Sequence, residues 1–221
     1  MMLEIKIRFQ AINKILNSAR SVTLLESLDS EFVFLQIRKI VEIIAFSAVL
    51  CDEKRYEAFR KVEAESNKND HGKYDKDWNA SVILKKLNNI SPHFMPIPIS
   101  KRTKTGENTY HFDRAPDVIA THTKLIEIHK SCGGFMHIPN PFSQDYLKHV
   151  EGHREKYRSS AKKAKTFVDY LKDLIWHHAA IGLEWHDGAN PTENANPKSA
   201  WIVDFGSDVD QNVNIVEAIA A

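Results

Sequence analysis

Apolar residues recur at helical spacing through most of the chain and change to alternation near its end. Ile5, Phe9, Ile12, Leu16 and Ala19 lie four and three apart, which predicts an opening helix that ends near Leu25. Asp29 or Ser30 can accept from the free amides of a second helix, which runs through Phe34, Leu35, Val41, Ile44, Ala45 and Val49. That segment is apolar nearly all round, so it is expected to be buried among several neighbours. A more polar third helix over 52–64 turns Tyr56, Phe59 and Val62 inward. The polar run 66–73 reads as a solvated loop. Trp78, Val82, Ile83, Leu87 and Ile90 give a fourth helix its apolar face, and Pro92 ends it.

Pro96 and Pro98 force extended backbone and Thr105-Gly106-Glu107-Asn108 supplies turn chemistry, so 93–113 reads as a short irregular hairpin with Lys101-Arg102-Thr103-Lys104 at its tip. A helix over 121–132 follows, with Gly133 and Gly134 as its stop. The longest helix spans 143–178, with Tyr146, Val150, Tyr157, Ala161, Ala164, Val168, Leu171 and Ile175 on one face and Lys148, Arg154, Lys162, Lys163 and Lys165 on the other. Ile181, Leu183 and Trp185, then Trp201, Val203 and Phe205, alternate in the manner of strands across the turn-rich 187–197. The expected fold is mainly α: a helical bundle over 1–180 with a hairpin insertion near 93–113, and a C-terminal β-hairpin over 181–221 packed on the same domain.

Composition narrows what such a fold can do. With 221 residues, 43% of them hydrophobic, the chain is long enough for a real core. Thirty Lys and Arg against 29 Asp and Glu leave a net charge of +1, so a nucleic acid or an anionic membrane would have to be met by a local patch. Cys51 and Cys132 are too few for a thiolate zinc site or a disulfide framework, and reduced thiols fit a cytoplasmic protein. Residues 1–9 carry no secretion pattern, and the apolar stretch 40–50 is too short to span a bilayer.

The residues richest in chemistry are Lys130-Ser131-Cys132-Gly133-Gly134-Phe135-Met136-His137. A histidine trades protons near neutral pH and a fixed cation stabilises charge on a phosphate; the plainer alternative is a loop-bound His137 and a solvated Lys130. Arg38 and Glu42, one turn apart on the apolar second helix, form either an intrahelical pair or a polar outpost beneath that site. His149 and His153 share a helix face, but no third metal ligand accompanies them, and surface histidines are the plainer reading. His177 and His178 suit a helix C-terminus. Asp204-Phe205-Gly206 stands without the other kinase motifs and reads as a strand end and turn. No phosphate-binding loop or serine elbow is present, and neither a metal nor a cofactor is expected.

Several helices, then a helix carrying a basic residue, a short spacer and a histidine, resemble the HEPN superfamily of small helical proteins. That resemblance implies a metal-independent endoribonuclease acting as a homodimer in toxin-antitoxin or antiviral defence. The family's motif has an arginine where this chain has Lys130. Glu31–Ile44, Ser91–Pro96 and Cys132–His137 also resemble a group of uncharacterised bacterial proteins. On this reading His137 moves the proton and Lys130 meets the phosphate, supported by Arg38 and Glu42. Lys101, Arg102, Lys104, Arg154, Lys162, Lys163 and Lys165 would contact RNA. The competing expectation is a non-catalytic module, such as an antitoxin, immunity or scaffold subunit, that binds a partner protein. In that case Trp185 and Trp201 are interface anchors if exposed and core residues if not.

Overall fold

A computed structural model describes residues 1–66, 76–91, 93–107, 109–136, 142, 144, 145, 152, 155, 157, 159–183, 186, 188–193 and 197–219. Among these are helices α1 (Met2–Leu16), α2 (Glu26–Cys51), α3 (Glu53–Ser66), α4 (Ala80–Ile90), α5 (His122–Met136) and α6 (Ser160–Ile175). The strands are β1 (Ile97–Lys104), β2 (Tyr110–Arg114), β3 (His177–Leu183), β4 (Pro197–Asp204) and β5 (Asn214–Ile219).

The apolar character of α2 makes it the axis of the helical layer. Val33, Phe34, Ile37, Ile40, Val41, Ile44 and Ala45 are buried, and α1, α4, α5 and α6 all pack on it. This helix starts at Glu26, earlier than the capping residues predict. Asp29 instead reaches back from the first turn, its carboxylate accepting from the Val22 and Thr23 amides at 3.0 Å each. Burial pushes the Asp29 carboxyl up, but the bonds it accepts from Thr23 and Val22, with the Ser21 hydroxyl nearby, outweigh it and leave its pKa below the ordinary value. In α3, Tyr56 is buried as expected, but Val62 is exposed and the inward positions are taken by Arg55 and Arg60. Trp78 lies outside α4 and is exposed; Asn79 caps that helix, accepting from the Ser81 amide at 3.0 Å.

The fold is a mixed α/β structure, which corrects the expected helical bundle with one C-terminal hairpin. The β1–β2 hairpin and the C-terminal strands are one antiparallel sheet in the order β2-β1-β3-β4-β5. Ile97 pairs with Ala179 and Pro98 with His178, so the β1–β2 hairpin and the three C-terminal strands meet edge to edge. Held apart, each would leave a further edge of unpaired amides and carbonyls, and the isolated two-stranded β1–β2 would be marginal in water. The basic residues expected at the hairpin tip lie within β1, and the turn itself is closed by Thr105 and Thr109. The last long helix ends at Ile175 rather than 178, because His177 and His178 already pair with Asp204 and Val203 in the sheet. One continuous core runs from Ile5 of α1 to Phe205 beyond β4. Among the described residues no helix is long and apolar enough to cross a membrane.

Two buried cations fasten the end of the chain to the helices. Lys6 is fully buried, donating to the Phe205 carbonyl, the Asp210 carboxylate and the Asn212 carbonyl at 2.5–2.6 Å. Arg55 donates to the carbonyls of Pro191, Ile90 and Glu193, tying the β3–β4 connection to α3 and α4.

Candidate functional site

Helix α5 runs through both glycines to Met136 instead of stopping at Cys132, and tertiary packing gives the reason. A Cβ on Gly133 would stand 3.1 Å from Nη1 of Arg38, so a residue without a side chain lets the guanidinium lie against α5. The glycine pair belongs to helix packing, not to helix termination.

Around Arg38 the structure gathers side chains from three helices. Arg38 donates through Nε to Glu42 at 3.1 Å, and Lys39 donates to the other carboxylate oxygen at 2.7 Å. His129 of α5 approaches Glu42 with Nε2 at 3.5 Å, too long for a strong hydrogen bond. Its Nδ1 lies 2.9 Å from Oγ of Ser81 on α4. The consistent tautomer has Ser81 donating to Nδ1 while Nε2–H faces the carboxylate. Burial pushes the Glu42 carboxyl up, but hydrogen bonds and charge from Lys39, Arg38 and His129 outweigh it, leaving its pKa lowered. The His129 pKa is lowered by burial and by the Arg38 charge, so its ring is neutral at pH 7. Burial raises the Cys132 thiol to about 12 against the charges of Arg38 and Lys163, so it is no thiolate nucleophile.

Ser81, His129 and Glu42 carry the donor set of a nucleophilic triad, yet Ser81 and His129 are buried. A substrate has no access to that serine, and the chain of contacts holds α4 and α5 to α2. Arg38 is different. Its side chain is 27% exposed, and among the described residues its terminal nitrogens have no hydrogen-bond partner. A guanidinium fixed along one edge by a carboxylate, with its terminal nitrogens free, suits an anion that accepts two parallel bonds.

The expected site residues are distributed unevenly. Arg38 and Glu42 form the intrahelical pair. Lys130 is exposed on α5. His137, Arg154, His149, His153 and Trp185 lie outside the described residues. Lys163 is exposed on α6, with Nζ 5.8 Å from the Phe135 ring centre and 5.6 Å from that of Phe167. Lys162 and Lys165 are also exposed there, Lys165 beside Asp169 at 3.5 Å. On the hairpin, Lys101 pairs in register with Asp113, Arg102 stacks over Tyr110 at 3.7 Å and Lys104 is exposed. Trp201 is half-buried.

Ser81 and His129 escape the sequence reading because 48 residues separate them. One signal was present: His129 lies one turn after Leu125 on the face that also carries Ile128 and Cys132, so a buried histidine follows from the helical period. Among the described residues no three His, Cys, Asp or Glu side chains are placed to hold a metal ion. Comparison of the chain with family models, curated proteins and solved structures finds no significant match.

Proposed function

We propose that the protein acts on RNA, with Arg38 gripping a backbone phosphate beside the last turns of α5. The observation that carries this reading is the Arg38 guanidinium, held by Glu42 through Nε, with its terminal nitrogens unpartnered among the described residues and Nη1 lying over Gly133. Arginine supplies the planar fork that Lys130 lacks. Lys39, Lys130 and Lys163 add positive charge from α2, α5 and α6. Nucleic-acid binding through such groups weakens steeply with salt because counterions are released. In a cleavage reaction His137, four residues beyond Gly133 in sequence, would be the proton-transfer residue and Arg38 would stabilise charge on the phosphate.

The test is incubation of purified protein with total RNA in chelator, comparing wild type with His137→Ala and Arg38→Ala. Cleavage by wild type alone supports the reading. Identical RNA profiles, together with RNA affinity that is unaffected by Arg38→Ala, refute it.

One surface favours a second reading, a module that assembles through its helices. Leu28, Phe32 and Leu35 of α2 are exposed at alternating spacings of four and three, and Lys39 continues the stripe. A second copy fits it. Antiparallel crossing at Phe32 would set Glu26 of one copy near Lys39 of the other, so charge and apolar surface are both self-complementary. Light scattering of the protein alone tests this: a dimer that Phe32→Glu converts to monomer is expected, and a monomeric wild type excludes it.

A further inference from the structure

A cavity of about 180 Å³ lies between the helical layer and the sheet, at residues that the Arg38 cluster does not use. Its walls are apolar: Ile44 and Ala48 of α2, Leu87 of α4, Ile175 at the end of α6, and Ile181 and Val203 from the sheet. Trp201 forms another side. A Cβ on Gly182 would come within 2.8 Å of carbons of that indole, so the glycine on β3 lets the ring lie close against the neighbouring strand and shape the space. The lining also includes exposed His93 and Ile215, where the cavity reaches solvent.

His178 is the polar group that distinguishes this space from a packing defect. Only 2% of its surface is exposed, and its Nδ1 donates to the Ile175 carbonyl at 2.7 Å, which fixes the tautomer. Burial drives its pKa down to about 4, so the ring is neutral at pH 7. Nε2 is then an acceptor, and among the described residues it has no hydrogen-bond partner, on a side chain that lines the cavity. An unpartnered acceptor on an almost wholly buried side chain that lines the cavity is open to a donor from outside the chain. No Lys or Arg is among the lining residues, while Asp52 is. An anionic ligand would therefore meet the Asp52 carboxylate, which faces Arg55 at 3.7 Å behind it, and no cation of the lining itself.

We infer that this cavity is a binding site for a neutral, mainly apolar ring compound bearing one hydrogen-bond donor, of the phenol or indole class, with the donor directed at Nε2 of His178. The size agrees, since an apolar cavity of about 150 Å³ accepts benzene. Mainly apolar walls with a small number of placed polar groups are the usual composition of a small-molecule site.

The experiment is titration calorimetry of the full chain with phenol, indole, toluene and benzoate, with thermal shift as a second readout. Phenol and indole are expected to bind at least tenfold more tightly than toluene, and benzoate more weakly than either. His178→Phe keeps a ring but removes the acceptor, so it should erase the preference for phenol over toluene while leaving toluene binding in place. Ala48→Phe should fill the cavity and abolish binding of all four while circular dichroism stays native; Ala48→Leu serves if the larger residue prevents folding. Equal binding of phenol and toluene by wild type, no binding of either at millimolar concentration, or undiminished phenol binding by a folded Ala48 variant would overturn the assignment.

Discussion

Lys6 and Arg38 are both cations drawn in from the surface by a helix, yet they end in opposite states. Lys6 is fully buried and its ammonium is matched to two carbonyls and a carboxylate supplied by residues 205–212. Arg38 keeps 27% of its side chain exposed, with one edge tied to Glu42 and its terminal nitrogens unpartnered among the described residues. A cation whose donors are all answered from within the chain fastens structure, because removing it strands several buried acceptors. One that is half-answered retains the ability to bind something else. Burial alone therefore does not describe the two cations; the number of donors each has left unmet separates them.

The largest effect is expected where the closed site is opened. Lys6→Met should destabilise the protein by about 3 kcal/mol or more, because it removes the shared donor of two carbonyls and Asp210. Urea unfolding measures this, and a loss below about 1 kcal/mol would show that the site is not as closed as its geometry implies.

Histidine burial gives the next effect, through pH. Unfolded His178 takes a proton near pH 6.5 and the folded form near 4, so its contribution is complete above 6.5, declines as the pH falls, and levels off below about 4. The loss is on the order of 3 kcal/mol, and His129, with its pKa lowered by burial and by Arg38, acts in the same direction. Unfolding midpoints at pH 7.5 and 4.5 should separate, and His178→Gln should reduce the separation.

Opening or blocking the Arg38 site should touch stability little and ligand binding more. Arg38→Lys keeps a charge but loses the fork, so RNA affinity is expected to fall about tenfold, with stability changed by about 0.5 kcal/mol. Gly133→Ala improves helix propensity by up to about 1 kcal/mol but pushes on the Arg38 guanidinium. The melting temperature should hold or rise while RNA binding falls; a parallel fall of both would place Gly133 in packing alone. The smallest effect belongs to exposed Lys165, already beside Asp169: Lys165→Ala should lower the slope of log affinity against log salt by less than about 1.

The legible parts of the fold were those where one helix or strand answers to its own periodicity. The burial of α2, the apolar face of α6 and the turn at Asp204-Phe205-Gly206 follow from spacing, and the turn is realised with Gly206 at φ 59° and its amide bonded to the Asp204 carboxylate at 2.8 Å. At Gly133 the structure departs from the expected helix stop for a physical reason. Glycine commonly stops a helix by adopting the left-handed cap, and its other use, admitting a group from a neighbouring element, is visible only when that neighbour is in place.

The amino-acid order by itself determined roughly where helices form but not their ends, the opening helix closing at Leu16 rather than near Leu25; it also determined where Arg38 and Glu42 meet and that the net charge is near zero. Those properties depend on residues a turn apart or on sums over the chain. Only the tertiary structure decided that the β1–β2 hairpin joins the C-terminal strands in one sheet, that Ser81 and His129 join Glu42, and that His178 lines a cavity between layers. Each of these brings together groups tens of residues apart, and such pairings are fixed by packing and by the satisfaction of buried polar groups, which no local pattern encodes.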